Sequence, residues 1–175
     1  MKLYVVRHGE TLANIQKTVS GDKESPLTMK GIAQAKNLGL EFKDTNFDIV
    51  FSSPLLRAID TARYITRKTV HIDERLIERN YGLNEGKLIK ATNPEKLWDY
   101  NLNTSEYENE PVQDLLKRAG SFLKELKANY QDKTILIVTH SGVARAIHYN
   151  IEKLPKDGNL RNTELSNCGY QIYEL

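Results

Sequence analysis

Three short apolar runs along the chain predict buried strands. The segments Leu3–Val6, Asp48–Ser52 and Thr134–Thr139 are apolar at nearly every central position and end in polar residues. Continuous apolar runs are typical of strands that are covered on both faces, as in a mostly parallel central sheet. Two weaker runs, Val70–Asp73 and Tyr170–Tyr173, predict further strands.

The segments between these runs predict four helices. Their apolar residues recur every three or four positions, which is the spacing of one helix face. Thr28 can cap the first helix, Ser53 followed by Pro54 can begin the second, Pro111 can open the third, and Ser141 can begin the fourth. Strands that alternate with helices predict a three-layer α/β/α sandwich with a central, mostly parallel sheet. The apolar faces are Ile32, Ala35, Leu38 and Phe42; Leu55, Ala58, Ala62 and Ile65; Val112, Leu115, Leu116, Ala119, Phe122 and Leu126; and Val143, Ala146 and Ile147.

The segment at about 83–110 has the weakest periodicity of the chain. It contains Gly86, the pair Asn93-Pro94 and an acidic patch at Glu106, Glu108 and Glu110. Long stretches without a regular pattern inside a compact domain are often functional. We therefore predict a mobile, lid-like insertion over one edge of the sheet, within a single domain that spans residues 1–175.

The composition is that of an ordinary globular domain. The chain has 175 residues, a net charge of +2, 39% hydrophobic and 27% charged residues. Its basic residues are spread out, which argues against a nucleic-acid or membrane partner. Cys168 is the single cysteine, and the apolar stretch that begins at Met1 is too short for a signal peptide. These features favour a cytoplasmic protein, as a monomer or a homodimer.

Two histidines occupy matching places in the predicted sheet. His8 follows the first strand, and His140 follows the third long apolar run. Ligands gather at the carboxyl ends of strands in open α/β sheets. Arg7 and Arg57 also lie after strands, where two guanidinium groups can hold a phosphate, and the helix start at Ser141 adds backbone N–H groups. Any one of these residues could be a surface charge, but the whole set at strand ends predicts a site for a small anion.

Cleavage of a phosphate ester also needs a proton donor, and Glu78 is the candidate. A glutamate in a charged loop is usually solvated, so the residues alone give this assignment little support. A zinc site made by the two histidines and this glutamate is an alternative. Arg7 and Arg57 beside them would repel a cation, so phosphate is the preferred ligand.

The ordered set of motifs resembles the histidine phosphatase superfamily, which is also called phosphoglycerate mutase-like. A tripeptide such as Arg7-His8-Gly9 alone would be weak, but five blocks occur in the family's order over nearly the whole chain. The blocks are Arg7 to Thr11 with Asn14; Pro26 to Thr28 with Gly31 and Ala35; Ser52 to Leu55 with Arg57, Ala58, Thr61 and Ala62; Leu76 with Glu78-Arg79 and Tyr81-Gly82; and Val138 to His140 with Gly142 and Arg145.

The resemblance implies a phosphohistidine mechanism on a small phosphate ester, without a metal or another cofactor. His8 would be the nucleophile, and Glu78 the acid that protonates the leaving oxygen. Arg7, Arg57 and His140 would bind the phosphoryl oxygens. The resemblance further implies substrate contacts by Asn14, Gly9, Thr11, Gly21, Arg79, Tyr81, Ser141 and Gly142, with Gly9 leaving space near the nucleophile and its carbonyl orienting the ring.

Two activities occur in this family, and the sequence favours the phosphatase. A mutase must hold a second charged group, and Arg79 could bind a carboxylate. However, no arginine occurs between Arg79 and Arg118, where family mutases carry a pair. A cofactor-dependent phosphoglycerate mutase is therefore the alternative. A non-catalytic phospholigand sensor is a third hypothesis, which the complete set of catalytic residues opposes.

Overall fold

A five-stranded sheet forms the centre of the fold in the computed structural model, which describes residues 1–175. The strands are β1 (Lys2–Arg7), β2 (Ile49–Ser52), β3 (Val70–Ile72), β4 (Thr134–Thr139) and β5 (Tyr170–Glu174). They are ordered β3-β2-β4-β1-β5, and only β5 is antiparallel to its neighbour. The predicted strands and the mostly parallel sheet are confirmed.

The central strands bury both of their faces. Along β1, Leu3 and Val5 belong to one apolar cluster, and Tyr4 and Val6 belong to another on the opposite face of the sheet. Successive side chains of a strand point to opposite faces. A continuous apolar run is therefore what a strand between two helical layers requires.

Helices cover both faces of the sheet, as the alternating pattern predicts. The helices are α1 (Leu12–Gln16), α2 (Met29–Glu41), α3 (Leu56–Ile65), α4 (Pro94–Leu97), α5 (Val112–Asn129) and α6 (Ser141–Ile151). The pair α2 and α3 packs against one face, and the pair α5 and α6 packs against the other. The three-layer α/β/α architecture is thus confirmed. None of its helices has both the length and the apolar character that crossing a bilayer requires.

The helix starts agree with the sequence at three of four places. The Thr28 hydroxyl accepts a hydrogen bond from the Gly31 N–H at 3.0 Å, α5 begins directly after Pro111, and α6 begins at Ser141. The prediction for Ser53 is wrong, because α3 begins three residues later and has no side-chain cap. The Ser53 hydroxyl lies 2.7 Å from the His140 Nε2 instead.

The parallel strands bring the predicted site residues to one edge of the sheet. The His8 N–H donates to the Thr139 carbonyl at 2.9 Å, and the Ser53 N–H donates to the Val138 carbonyl at 3.1 Å. The backbone pairing therefore continues past the ends of β1, β2 and β4. Residues that are far apart in sequence are fixed side by side there, which is where ligands gather in such sheets.

The segment at 83–110 contains only short helical turns and α4. Two of the three glutamates of its acidic patch have cationic partners, since Glu110 forms two hydrogen bonds with Arg118 and Glu106 pairs with Lys96. The glutamates of this patch do not line the cavity at the carboxyl ends of the parallel strands.

Candidate active site

A cavity of about 240 Å³ opens at the carboxyl ends of the parallel strands. Residues at the carboxyl end of β1 and at the starts of α3 and α6 line it, and the segment at 83–110 contributes further lining residues. Eight of the predicted site residues line it: Arg7, His8, Asn14, Gly21, Arg57, Glu78, Tyr81 and Ser141.

His8 is held with one ring nitrogen free. Its Nδ1 lies 2.7 Å from the Gly9 carbonyl oxygen, which can only accept a hydrogen bond, so Nδ1 carries the proton. The Nε2 atom then has a lone pair and no hydrogen-bond partner in the protein. Burial, together with the positive charge of Arg57, lowers the pKa of His8 to about 3. The ring is therefore neutral and nucleophilic at physiological pH.

His140 lies directly beside His8, with the ring centroids 5.1 Å apart. Its Nδ1 accepts a hydrogen bond from the Arg57 Nε at 3.3 Å, and its Nε2 lies 2.7 Å from the Ser53 hydroxyl. Burial and the neighbouring Arg57 lower the pKa of His140 as well. Both ring nitrogens have partners and the ring is fully buried, so in this structure His140 orients the guanidinium and does not line the cavity.

Arg57 and Arg7, two of the four arginines that line the cavity, are anchored through backbone carbonyls. Arg57 donates from Nη1 to the Lys23 carbonyl at 2.6 Å and from Nη2 to the Gly21 carbonyl at 2.7 Å. Arg7 donates from Nη1 to the Leu165 carbonyl at 2.6 Å. Carbonyls fix a guanidinium without cancelling its charge. The only carboxylate that pairs with either group is that of Glu164, whose Oε1 lies 3.4 Å from the Arg7 Nη1 and whose side chain is largely exposed. The remaining N–H groups of both arginines can therefore bind an anion in the cavity.

The Asn14 amide is oriented by hydrogen bonds to its oxygen. Its Oδ1 accepts from the Thr11 N–H at 3.1 Å and from the Asn167 Nδ2 at 3.0 Å. The Nδ2 group is left to donate into the cavity. Thr11 itself is fully buried and caps α1. It therefore orients Asn14 through its N–H and does not make the substrate contact that the resemblance implied.

Glu78 is fixed by two backbone N–H groups. Its Oε1 accepts from the Arg79 N–H at 2.8 Å, and its Oε2 accepts from the Gly142 N–H at 3.1 Å. A Cβ at Gly142 would lie 2.3 Å from the Glu78 Oε1, so only glycine permits this approach. The Gly142 N–H therefore holds the Glu78 carboxylate. It is not free to bind a phosphate, which is the contact that the sequence predicted.

Two more predicted contacts lie outside the cavity. Arg79 is fully buried and donates to the Glu110 carbonyl at 2.8 Å and to the Leu97 carbonyl at 2.6 Å, so it cannot hold a substrate carboxylate. Gly9 is required for a different reason from the one expected. A Cβ there would lie 2.5 Å from the Gly31 carbonyl oxygen, so this glycine permits the close approach of α2 and does not leave space for substrate.

Several residues that sequence reasoning missed line the cavity. The wall includes Ile89, Pro94 and Trp98 from the segment at 83–110, and Arg145 and Arg161 from the later part of the chain. No sequence pattern pointed to Ile89, Pro94 or Trp98 as site residues, because they belong to a segment without a regular hydrophobic periodicity. Arg145 could have been found, since it lies four residues after Ser141 and therefore on the same face of α6.

The neutral state of His8 predicts a pH-dependent stability. The unfolded histidine binds a proton below about pH 6.5, whereas the folded one does so only near pH 3. Acidification between these values therefore lowers the free energy of unfolding, by up to about 1.4 kcal/mol per pH unit for this group. We expect the His8→Asn variant to lose less stability than the wild type between pH 7 and pH 5 in urea titrations. Parallel losses in the two proteins would contradict a neutral, buried His8.

Comparisons with known proteins identify the family of the chain. A family model described as histidine phosphatase superfamily (branch 1) matches residues 3–175. The adenosylcobalamin/alpha-ribazole phosphatase of Salmonella typhimurium is 33% identical over 89% of this chain and 81% of its own. An Escherichia coli protein named "Probable phosphoglycerate mutase GpmB" is 30% identical over 98% of this chain and 86% of its own.

A solved structure shows the same fold. The phosphoserine phosphatase of Entamoeba histolytica, as a mutant in complex with phosphoserine, superimposes with a TM-score of 0.88 at 28% identity. The match covers 98% of this chain and 89% of the other.

Proposed function

The chain belongs to the histidine phosphatase superfamily, and we propose that it hydrolyses small phosphate monoesters through a phosphohistidine on His8. The observation that carries this proposal is the free Nε2 of a neutral His8 inside a cavity lined by Arg7 and Arg57. A dianionic phosphoryl group is the ligand that two anchored guanidinium groups fit best. The cavity volume of about 240 Å³ suits a small-molecule ester. We further propose that the reaction takes place in the cytoplasm.

The first half of the reaction transfers the phosphoryl group to the enzyme. The His8 Nε2 attacks phosphorus, and the bond to the ester oxygen breaks. Arg7, Arg57 and the Asn14 Nδ2 hold the phosphoryl oxygens, whose charge they stabilise in the transition state. Glu78, in its protonated form, gives a proton to the leaving oxygen, so that an alcohol departs and not an alkoxide.

The second half regenerates the enzyme with water. The Glu78 carboxylate takes a proton from a water molecule, whose oxygen attacks phosphorus as the bond to His8 breaks. Inorganic phosphate leaves, the ring is neutral again, and Glu78 is protonated for the next cycle. His140 acts through Arg57 as a positioning residue.

A phosphoglycerate mutase is the second candidate, because one relative at 30% identity carries that name. A mutase must hold a second anionic group and must keep water from the phosphohistidine. The arginines between Glu78 and His140 do not serve this purpose, since Arg79 is buried against carbonyls and Arg118 pairs with Glu110. This favours the phosphatase.

The proposed activity is tested by the release of inorganic phosphate from a panel of esters. The panel contains an aryl phosphate, and also 3-phosphoglycerate with and without 2,3-bisphosphoglycerate, each in the presence and absence of a chelator. We expect phosphate release from several esters that the chelator does not change, because the arginines supply the positive charge. Interconversion of phosphoglycerates with little phosphate released would identify a mutase. Binding without any turnover would favour the phospholigand sensor.

A further inference from the structure

The peptide group between Gly9 and Glu10 carries the carbonyl that holds the ring of His8. Its oxygen accepts a hydrogen bond from the His8 Nδ1 at 2.7 Å, and its N–H, which belongs to Glu10, donates to the Gln34 Oε1 at 2.9 Å. A single peptide plane therefore connects the side chain of Gln34 to the ring of His8. Gln34 lies on α2 and does not line the cavity, so it can reach the reaction only through this peptide.

Gly9 gives this peptide little stiffness of its own. The backbone torsions of glycine are soft because no Cβ restricts them, and a Cβ at this position would lie 2.5 Å from the Gly31 carbonyl oxygen. The Gly9 N–H donates to the Thr61 hydroxyl at 3.1 Å, which fixes the peptide that precedes Gly9. The direction of the Gly9 carbonyl depends on the peptide that follows, and the Gln34 side chain holds the N–H of that peptide.

Gln34 is a firm support because α2 is docked on Glu10. The Thr28 N–H donates to the Glu10 carbonyl at 2.9 Å, and a Cβ at Gly31 would collide with the same carbonyl oxygen. Gln34 follows Gly31 by three residues, so the two lie on the same face of the helix. The next residue, Ala35, is fully buried in the core. The helix therefore holds the Gln34 amide at a fixed distance from the backbone beside His8.

We propose that Gln34 is a positioning residue for the nucleophile, which aims and polarises the Gly9 carbonyl through the Glu10 N–H. Hydrogen bonds in a chain strengthen one another, so an acceptor at this N–H makes the Gly9 oxygen a better acceptor for the His8 ring. The proton is thereby kept on Nδ1, and the lone pair of Nε2 stays available.

The effect on the reaction rests on the phosphatase function proposed above. The lone pair of the His8 Nε2 forms the bond to phosphorus, and the electrons of the ester bond leave with the alcohol oxygen, which takes its proton from Glu78. The ring gains a positive charge in this step. The Gly9 oxygen, directed at Nδ1, stabilises that charge, and Gln34 keeps the oxygen in place.

The proton resonance of the His8 Nδ1–H tests the contact without turnover, because such a proton resonates at lower field as its hydrogen bond strengthens. We expect Gln34→Met to move this resonance to higher field. Gln34→Glu keeps an acceptor at the same place and should return the resonance toward its wild-type position. The spectrum of His8→Asn assigns the resonance by its absence. An unchanged resonance in Gln34→Met would overturn the proposal.

Lys30→Met is the matched control for a loss of helix docking. Lys30 also lies on α2 and also contacts Glu10, but its Nζ binds the side-chain carboxylate at 2.9 Å and leaves the peptide untouched. Because this ion pair is exposed, its removal should leave the His8 resonance in place and kcat/KM within about twofold of the wild type. Changes as large as those of Gln34→Met would mean that only the docking of α2 matters, and would overturn the proposal.

The hydrolysis of two esters measures the effect on the reaction. We expect Gln34→Met to lower kcat/KM about tenfold on both an alkyl phosphate and an activated aryl phosphate, because every ester needs attack by His8. Gln34→Glu should recover most of this loss. A loss of less than about threefold in Gln34→Met, or no recovery in Gln34→Glu, would overturn the proposal. If the wild type hydrolyses no ester, the proposed function fails, and the resonance of the Nδ1 proton still decides the role of Gln34.

Discussion

The His8→Ala variant is expected to lose at least about 10⁴-fold in kcat on every phosphate ester, since no other group can accept the phosphoryl group. The free Nε2 is the only ring nitrogen at the cavity that has no partner in the protein, because both nitrogens of His140 are engaged. The measurement is phosphate release under saturating substrate, together with the near-ultraviolet circular dichroism spectrum as a check of the fold.

His71→Ala is the matched control for this variant. His71 is exposed on β3, at the edge of the sheet, and does not line the cavity. Its replacement should leave kcat within about twofold of the wild type. Residual activity of His8→Ala near that of the control would contradict the assignment of the nucleophile, and would require a mechanism in which water attacks the ester directly.

The Glu78→Ala variant is expected to lose about 10²- to 10⁴-fold in kcat on alkyl phosphates, and far less on an activated aryl phosphate. An alkyl ester leaves as a strongly basic alkoxide unless it receives a proton, whereas a nitrophenolate leaves without one. Alanine is the informative replacement. Both carboxylate oxygens accept backbone N–H groups, from Arg79 and Gly142, and a glutamine would turn its own NH₂ toward one of these donors.

The comparison of the two classes of ester identifies the role of Glu78. Losses of the same size on both would show that Glu78 positions the site through its hydrogen bonds and does not transfer a proton. Glu164 lines the cavity but is largely exposed, and its replacement by alanine serves as the control. The effect of this replacement on kcat should be the same for alkyl and aryl phosphates.

Much of the fold could be predicted from the sequence because burial on two faces restricts composition so strongly. The run Thr134–Thr139 is apolar from Ile135 to Val138, and it is the strand that the structure shows, residue for residue. Helix starts were predictable where a local signal exists, as at Thr28, whose hydroxyl caps α2. The prediction that Ser53 caps a helix was wrong, because a serine followed by a proline also occurs in loops. In the structure the Ser53 hydroxyl is hydrogen-bonded to His140, which lies 87 positions away in the sequence.

The sequence by itself determined that His8, Arg57 and His140 lie close together, because each follows a parallel strand or belongs to the helix after one, and such strand ends share one edge of the sheet. Only the tertiary structure decided which arginines face the cavity. Arg79 is sealed by carbonyls from residues 18 and 31 positions away, whereas Arg145 keeps its outer edge open to the cavity. The hydrogen-bond partners of a guanidinium come from distant segments of the chain, so no local pattern can reveal whether its charge is free to bind.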